Sequence, residues 1–457
     1  MFYRKISKTI ENHLTSDDNR IMLIDGARQI GKTFIIRHVG KELFKNYVEI
    51  NLLEDLDSEK QFAQINDIDE FYMQLSIAAE GKLGNKKDTL IFLDEIQAYP
   101  QLLTLLKFLR EDGKYTYIAS GSLLGVALKK TVSIPMGSIK EVHMYPMDFE
   151  EFLLANGISS DVIEKIKNAF TNKETLPEGV HNTMLKLFKY YLICGGLPDA
   201  VKMFIEKQNI VQVRELQLET HNYYGIDASQ YDKDNGLKIR AIYDLIPSFM
   251  ENKKKRIVAK EISSKKGETF ARYQDEFEYL ITSGISNEVR AVPTPVFPLT
   301  QGMEKNLLKL YLNDVGILTA ILYGNNINSI IQDERSINLG SVYETAVASE
   351  LKAHGYDLFY YDNRKKGEVD FLINDYEGQG VLPIEIKSGK DYSLHAALDK
   401  FIANEDYPVK KAFVFSNERE IRAEGSITYF PIYMIMFLDK HDSGLGEIER
   451  ISNINWE

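Results

Sequence analysis

The first stretch able to do chemistry runs Gly26, Ala27, Arg28, Gln29, Ile30, Gly31, Lys32, Thr33. Two glycines set five apart, the second followed by Lys-Thr, fit a loop whose backbone N–H groups curl around phosphate oxygens. Gly26 and Gly31 supply the backbone freedom that the curl needs. All eight residues are expected at a bound ATP. Lys32 should reach the β- and γ-phosphates, and the Thr33 hydroxyl should hold Mg²⁺. About 60 residues further on, an apolar run from Thr89 ends in Asp94 and Glu95. An acid at that spacing supports the same Mg²⁺, usually through water. The second acid sits where a general base would orient or deprotonate an attacking water. Ser120 and Ser122 close a later run, and either hydroxyl could sense the γ-phosphate or hold that water.

These groups need a scaffold. Ile21 to Asp25 reads as a buried parallel strand, and Phe34 to Val39 as the start of a helix whose positive end favours anions. Tyr47–Asn51, Thr89–Glu95 and Tyr115–Ser122 read as further strands, and Leu102–Leu109 as a helix. In a parallel sheet the strand ends carrying Asp94 and Ser120 lie side by side. Residues 1–20 look helical, with Ile6, Ile10 and Leu14 on one face. Arg4 and Lys5 are expected there as solvated charges that could approach a nucleotide.

From residue 150 to about 330 the strand–helix alternation is lost and helical periods prevail, in Phe149–Leu154, Met184–Leu192 and Ile210–Leu218. Gly195, Gly196, Leu197 and Pro198 form a turn between helices. Residues 237–290 read as three short helices, Ile239–Met250, Ala259–Ser263 and Glu268–Gly284, then a strand Ile285–Val292. That order suggests a winged helix, and Lys253 to Arg256, Lys260, Lys265 and Lys266 give it a basic edge suited to DNA.

The last third offers a second constellation. Leu339–Leu351 is an amphipathic helix bearing Glu344. Strands follow at Leu358–Tyr361, Glu368–Ile373, Leu382–Lys387 and Lys411–Phe415. Asp370 lies on one of them, and Glu385 and Lys387 share a face of the next because strand side chains repeat every second residue. Asp370 and Glu385, with Glu344, would bind Mg²⁺. Lys387 would orient water or stabilise a phosphorane.

The whole chain bounds these readings. Its 457 residues suffice for about three domains. With 44% apolar residues, sizeable cores can form. A net charge of −12 argues against unselective coating of nucleic acid, although a local basic patch remains open. The single cysteine, Cys194, excludes an intramolecular disulfide framework and a cysteine zinc site. The N-terminus lacks an apolar signal core, and no run approaches the ~20 residues of a membrane span. A soluble cytoplasmic protein is the expectation.

The segments GARQIGKT, LIFLDEIQ and IASGSLL, with Met144–Leu153, resemble the prokaryotic AAA-superfamily ATPases that carry a formerly uncharacterised C-terminal domain. Cys194–Pro198, Leu310–Gly316, Gly367–Phe371 and Pro383–Lys387 continue the resemblance over nearly the whole chain. The C-terminal strands also resemble the PD-(D/E)xK nuclease core. The resemblance implies an α/β fold: a P-loop AAA-type parallel sheet over 1–150, a helical and winged-helix region over 151–309, and a restriction-endonuclease-like domain over 310–457. It implies ATP hydrolysis with Mg²⁺ coupled to a DNA-engaging C-terminal domain, and a possible homo-oligomer. The alternative is a nucleotide-dependent switch or scaffold whose C-terminal domain is an inactive interaction module. One departure stands out. Where relatives often carry an arginine after a glycine, Met136 and Gly137 are followed by Ser138, which leaves Arg28 as a further candidate for an arginine finger.

Overall fold

The structure, a computed structural model, describes residues 2–53, 62–65, 67–122, 137–231, 236–252, 254–262, 269–304, 306–333, 337–388 and 395–440. Met136, Lys253, Ser263, Lys265 and Lys266 lie outside the described residues.

Five parallel strands form the first sheet: β1 (Ile21–Asp25), β2 (Asn46–Asn51), β3 (Thr89–Asp94), β4 (Thr116–Ser120) and β5 (Ile139–His143). Their order is β2-β3-β4-β1-β5. The inner strands β1, β3 and β4 are largely apolar runs because both faces are covered, whereas the edge strands β2 and β5 alternate with polar residues. Met22, Ile24, Phe92 and Ile118 enter one core. Ile21, Leu23, Ile91 and Leu93, alternating with them, enter another on the opposite face. Helices α1 (Lys5–Thr15), α2 (Lys32–Leu43), α3 (Ile68–Ala78) and α4 (Pro100–Asp112) supply the cover. Pro100 opens α4 in its first turn, and Gly113 closes it at φ 62°. Register aligns Ile24 with Ser120 and Leu93 with Ala119. The ends of β1, β3 and β4 therefore lie together.

Helices dominate the middle: α5 (Phe149–Ala155), α6 (Ser160–Asn172), α7 (Glu178–Cys194), α8 (Pro198–Lys207), α9 (Ile210–Tyr231), α10 (Gly236–Glu251), α11 (Ala259–Ile262) and α12 (Gln274–Thr282). Further on come α13 (Val315–Tyr323), α14 (Asn328–Ile331), α15 (Leu339–Ala353) and α16 (Ala396–Ile402).

The second sheet has eight strands: β6 (Ser286–Ala291), β7 (Leu308–Leu312), β8 (Phe359–Asn363), β9 (Gly367–Asp375), β10 (Gly380–Lys387), β11 (Ala412–Ser416), β12 (Arg422–Glu424) and β13 (Ile427–Pro431). The order is β12-β13-β11-β10-β9-β8-β6-β7, mixed in direction. This changes the winged-helix expectation. The helices and the β6–β7 antiparallel pair are present, but β6 also pairs in parallel with β8. The would-be wing is thus an edge of the C-terminal sheet. The break expected at 309/310 falls inside β7.

One core runs from Ile10 in α1 through Phe188 in α7 and Val342 in α15 to Ile384 in β10. The turn at Gly195 and Gly196 ties these parts together. Gly196 N–H donates to Asp314 at 2.6 Å, and its carbonyl accepts Met147 N–H at 2.7 Å. A Cβ at Gly196 would lie 2.0 Å from the Met147 carbonyl oxygen, so the close approach requires glycine. Asp314 caps α13 from the same spot, and burial raises its carboxyl to about 6 despite several backbone N–H donors.

Candidate functional site

The loop after β1 is built from backbone turns that few residue types allow. Gly26, Gln29 and Gly31 have φ of 137°, 63° and 93°. A Cβ on Gly26 would come 2.3 Å from the Met144 carbonyl oxygen beyond β5. Lys32 is 5% exposed and donates to the carbonyls of Gly26 at 3.0 Å and Ala27 at 2.7 Å. Burial lowers its ammonium, against the pull of Glu95, Asp94 and Asp25. Thr33 Oγ1 donates to Asp94 Oδ2 at 2.6 Å, and the Ser120 hydroxyl donates to Oδ1. Asp94 is 1% exposed; burial raises its carboxyl, opposed by those two hydroxyls. Glu95, at φ 55°, accepts from Gln97 and, at 3.2 Å, from Ser122. Thus Lys32, Thr33, Asp94, Glu95, Ser120 and Ser122, spread over some 90 residues of sequence, meet at the C-terminal ends of the central strands. Gln97 completes the network and escaped the sequence reading.

Other neighbours were not legible either. Arg4 is 6% exposed rather than solvated. Its guanidinium donates to the carbonyls of Ile30 at 2.8 Å and Tyr145 at 2.7 Å and to Glu151 at 3.0 Å. It braces the loop from behind. Lys5 pairs with Asp148 and Glu150, each at 2.7 Å. Arg28 pairs with Asp227 of α9 at 3.0 Å and donates to Ser122 at 3.3 Å. Helix α9 grips the loop twice more. Tyr224 donates to the Arg28 carbonyl at 2.7 Å, and Thr220 to the Gln29 side chain at 2.9 Å. Ser138 is buried, and its carbonyl accepts the Ile21 N–H at 2.9 Å.

In the C-terminal sheet the predicted residues lie in one neighbourhood, each with a partner. Glu344 receives Lys255, and Tyr311 donates to it at 2.8 Å. Lys309, fully buried, lies 4.0 Å from Glu344 and 2.6 Å from Glu368. Burial raises the Glu344 carboxyl, but Lys255 and Lys309 outweigh it and hold the group below its ordinary range. Asp370 accepts the Ile386 N–H at 2.8 Å; burial, with Glu385 and Glu344 nearby, raises it well above the usual range. Glu385 pairs with Lys387 at 2.8 Å, and burial raises its carboxyl against that lysine. Among the described residues, the oxygens of Glu344, Asp370 and Glu385 do not gather within the 4.8 Å that a shared ion needs.

Where three such ligand atoms do gather is elsewhere, at buried Asp148, Glu350 and His354. Lys5 already lies 2.7 Å from Asp148 there. His354 Nδ1–H donates to the Leu438 carbonyl at 2.7 Å, and Nε2 faces Asp148 at 3.4 Å and Glu350 at 3.8 Å. Lys5 and His354 already bring positive charge to these carboxyl groups. The cluster joins α1, the start of α5 and α15.

The basic edge expected for DNA is partly engaged internally. Lys254 and Arg256 reach Asp362 on β8 at 3.6 and 3.1 Å, and Lys255 reaches Glu344.

Residues 18–153 match the family described as an AAA domain. Residues 185–328 and 339–435 match two domains of unknown function, DUF8612 and DUF4143. The chain therefore carries an AAA-type P-loop ATPase domain, for which ATP is the implied ligand; the C-terminal matches name no activity. Among solved structures, a Walker-type ATPase of Pyrococcus abyssi is 15% identical, with a TM-score of 0.43 over 70% of this chain and 96% of that one. Cdc6p of Pyrobaculum aerophilum is 14% identical, with a TM-score of 0.26 over 72% of this chain and 92% of that one. No curated protein matches. No helix among the described residues is long and apolar enough to cross a membrane.

Proposed function

We propose that the chain hydrolyses ATP with Mg²⁺ and couples the nucleotide state to a nuclease-like, DNA-engaging C-terminal region. The observation that carries the first half is the Thr33–Asp94 contact of 2.6 Å beside buried Lys32. A hydroxyl and a carboxylate so placed fit a hard, oxygen-seeking cation. Mg²⁺ bound there would neutralise charge developing on the β- and γ-phosphate oxygens. Lys32 leaves its two loop carbonyls for the phosphates. The N–H groups of residues 26–33 hold the remaining oxygens. Glu95, oriented by Gln97 and Ser122, takes the proton of the attacking water. Ser120 fixes Asp94.

Coupling has a physical route. Helix α9 grips Arg28 and Gln29, packs along α10, and α10 leads to Lys255 at the C-terminal carboxylates. Exposed Arg364 and Lys365 follow Asp362, where Lys254 and Arg256 also gather, and this basic corner suits a phosphate backbone.

The second reading, a nucleotide switch whose C-terminal region is an inactive interaction module, is favoured by one observation. Glu344 and Glu385 are each met by a lysine, and the three carboxylates do not converge.

ATP turnover with and without single-stranded, duplex and branched DNA tests the proposal. Glu95→Gln should retain ATP while turnover falls about a hundredfold or more. Stimulation by one DNA form supports DNA engagement. Turnover indifferent to all three, with plasmid left intact in Mg²⁺ or Mn²⁺, favours the switch. A chain without ATP affinity overturns both.

A further inference from the structure

Lys255 occupies an unusual place. It follows α10 in the left-handed backbone region, at φ 48°, which a non-glycine residue adopts at some cost. Its neighbours Lys254 and Arg256 are pinned to Asp362. Lys255 instead reaches into the second sheet, its side chain 17% exposed, and meets Glu344, whose side chain is 4% exposed. Tyr311 takes the other Glu344 oxygen. Lys387 takes Glu385 Oε1, while Oε2 of that 7%-exposed residue has no hydrogen-bond partner among the described residues. A buried carboxylate oxygen without a partner calls for an explanation, and a cation is one that fits its charge.

We propose that Lys255 is the resident cation of the Glu344–Asp370–Glu385 cluster and that it competes with a divalent metal for it. The proposal rests on reading those three carboxylates as one site. An ammonium carries one charge and satisfies Glu344 alone. A divalent ion carries two and draws carboxylates into one shell. With Lys255 in place, a metal would meet a like charge beside its first ligand. With Lys255 withdrawn, Glu344 loses its main partner, and its charge is left for an ion that Glu385 Oε2 can also meet. The device keeps the cluster closed to metal while Lys255 sits on Glu344.

The test is Mn²⁺ binding to the nucleotide-free full chain, read by loss of the free-ion EPR signal. Lys255→Met keeps the apolar stem and removes the charge; Lys255→Gln, which keeps a polar end for Glu344, serves if the first variant misfolds by circular dichroism. Either should bind Mn²⁺ at least about tenfold more tightly than wild type. The gain should vanish when Asp370→Asn is added. If wild type already binds Mn²⁺ as tightly, and in an Asp370-dependent way, the carboxylates form a site but Lys255 does not guard it. If wild type and both variants all bind weakly, or the gain survives Asp370→Asn, the three carboxylates are not a metal site and both ideas fall.

Discussion

The loop site and the C-terminal cluster use the same ingredients, buried carboxylates and lysines, and hold them in opposite ways. Around the loop, Asp94 rests on two hydroxyls and Lys32 on two backbone carbonyls. Neutral partners of this kind yield to a charged ligand at modest cost, because a hydrogen bond to a neutral group contributes only about 1 kcal/mol net. In the cluster, Glu344 and Glu385 are held by ammonium groups. Stripping the partner from a buried charge costs about 3–5 kcal/mol. The two sites differ in whether the chain already balances their charge. The first is arranged to receive ions, and the second is arranged around ions of its own.

The largest effect that would sharpen this contrast is expected at Lys32. Lys32→Ala removes the charge that meets the phosphates and should lower ATP turnover about a thousandfold or more. Lys387→Ala, in the other region, should leave turnover within about twofold, since the two share no partner. Steady-state phosphate release measures both. Equal losses would mean that the regions do not work as separate sites, and the comparison breaks.

The loop site was readable in the sequence because its chemistry is local. The glycine loop and the Asp94–Glu95 pair each occupy consecutive positions, and the strands that bring them together are apolar runs of the right length. Strands β8 to β11 were legible for the same reason. Arg4, Gln97 and Lys255 were not. Their partners lie 26 to 147 residues away for Arg4 and 89 for Lys255, and a lysine in a basic run has the same sequence signature whether it meets DNA or a buried glutamate. The winged-helix reading missed the sheet partner of β6 for a related reason. Helix order is written locally, but the pairing of β6 with β8 is settled by chain beyond residue 358.

A middle-sized effect probes the connection between the regions. Gly196→Ala would drive a methyl group into the Met147 carbonyl and disturb the Asp314 contact that links the turn to α13. It should cost about 2–4 kcal/mol of stability. Because Met147 lies between β5 and α5 and Asp314 follows β7, denaturant melts should show the two sheets losing structure together. A variant that loses only the second sheet's structure would divide the shared core and weaken any claim of coupling.

The smallest effect concerns the buried cluster of Lys5, Asp148, Glu350 and His354, which like the C-terminal one pairs carboxyl groups with the chain's own cations but joins α1 and α5 to α15. Burial alone would lower the His354 imidazole, yet Asp148 and Glu350 override it and hold the group up at about 9. Its folded value lies above its unfolded one, so its contribution is full below about pH 6.5 and is lost as pH rises through about 9. Burial and Asp148 raise Glu350 to about 7, against His354 and Lys5. The native state therefore holds this proton more tightly too, and stability falls as pH climbs from about 4.5 through 7. Lys5 and His354 outweigh burial at Asp148 and depress it, so its contribution is lost on the acid side. The melting temperature should peak at mildly acidic pH and drop by about 2 °C or more between pH 6.5 and 9. His354→Gln should lower the peak and flatten the alkaline fall. An unchanged slope in that variant would place the alkaline loss elsewhere and leave the loop site as the better understood of the two charge arrangements.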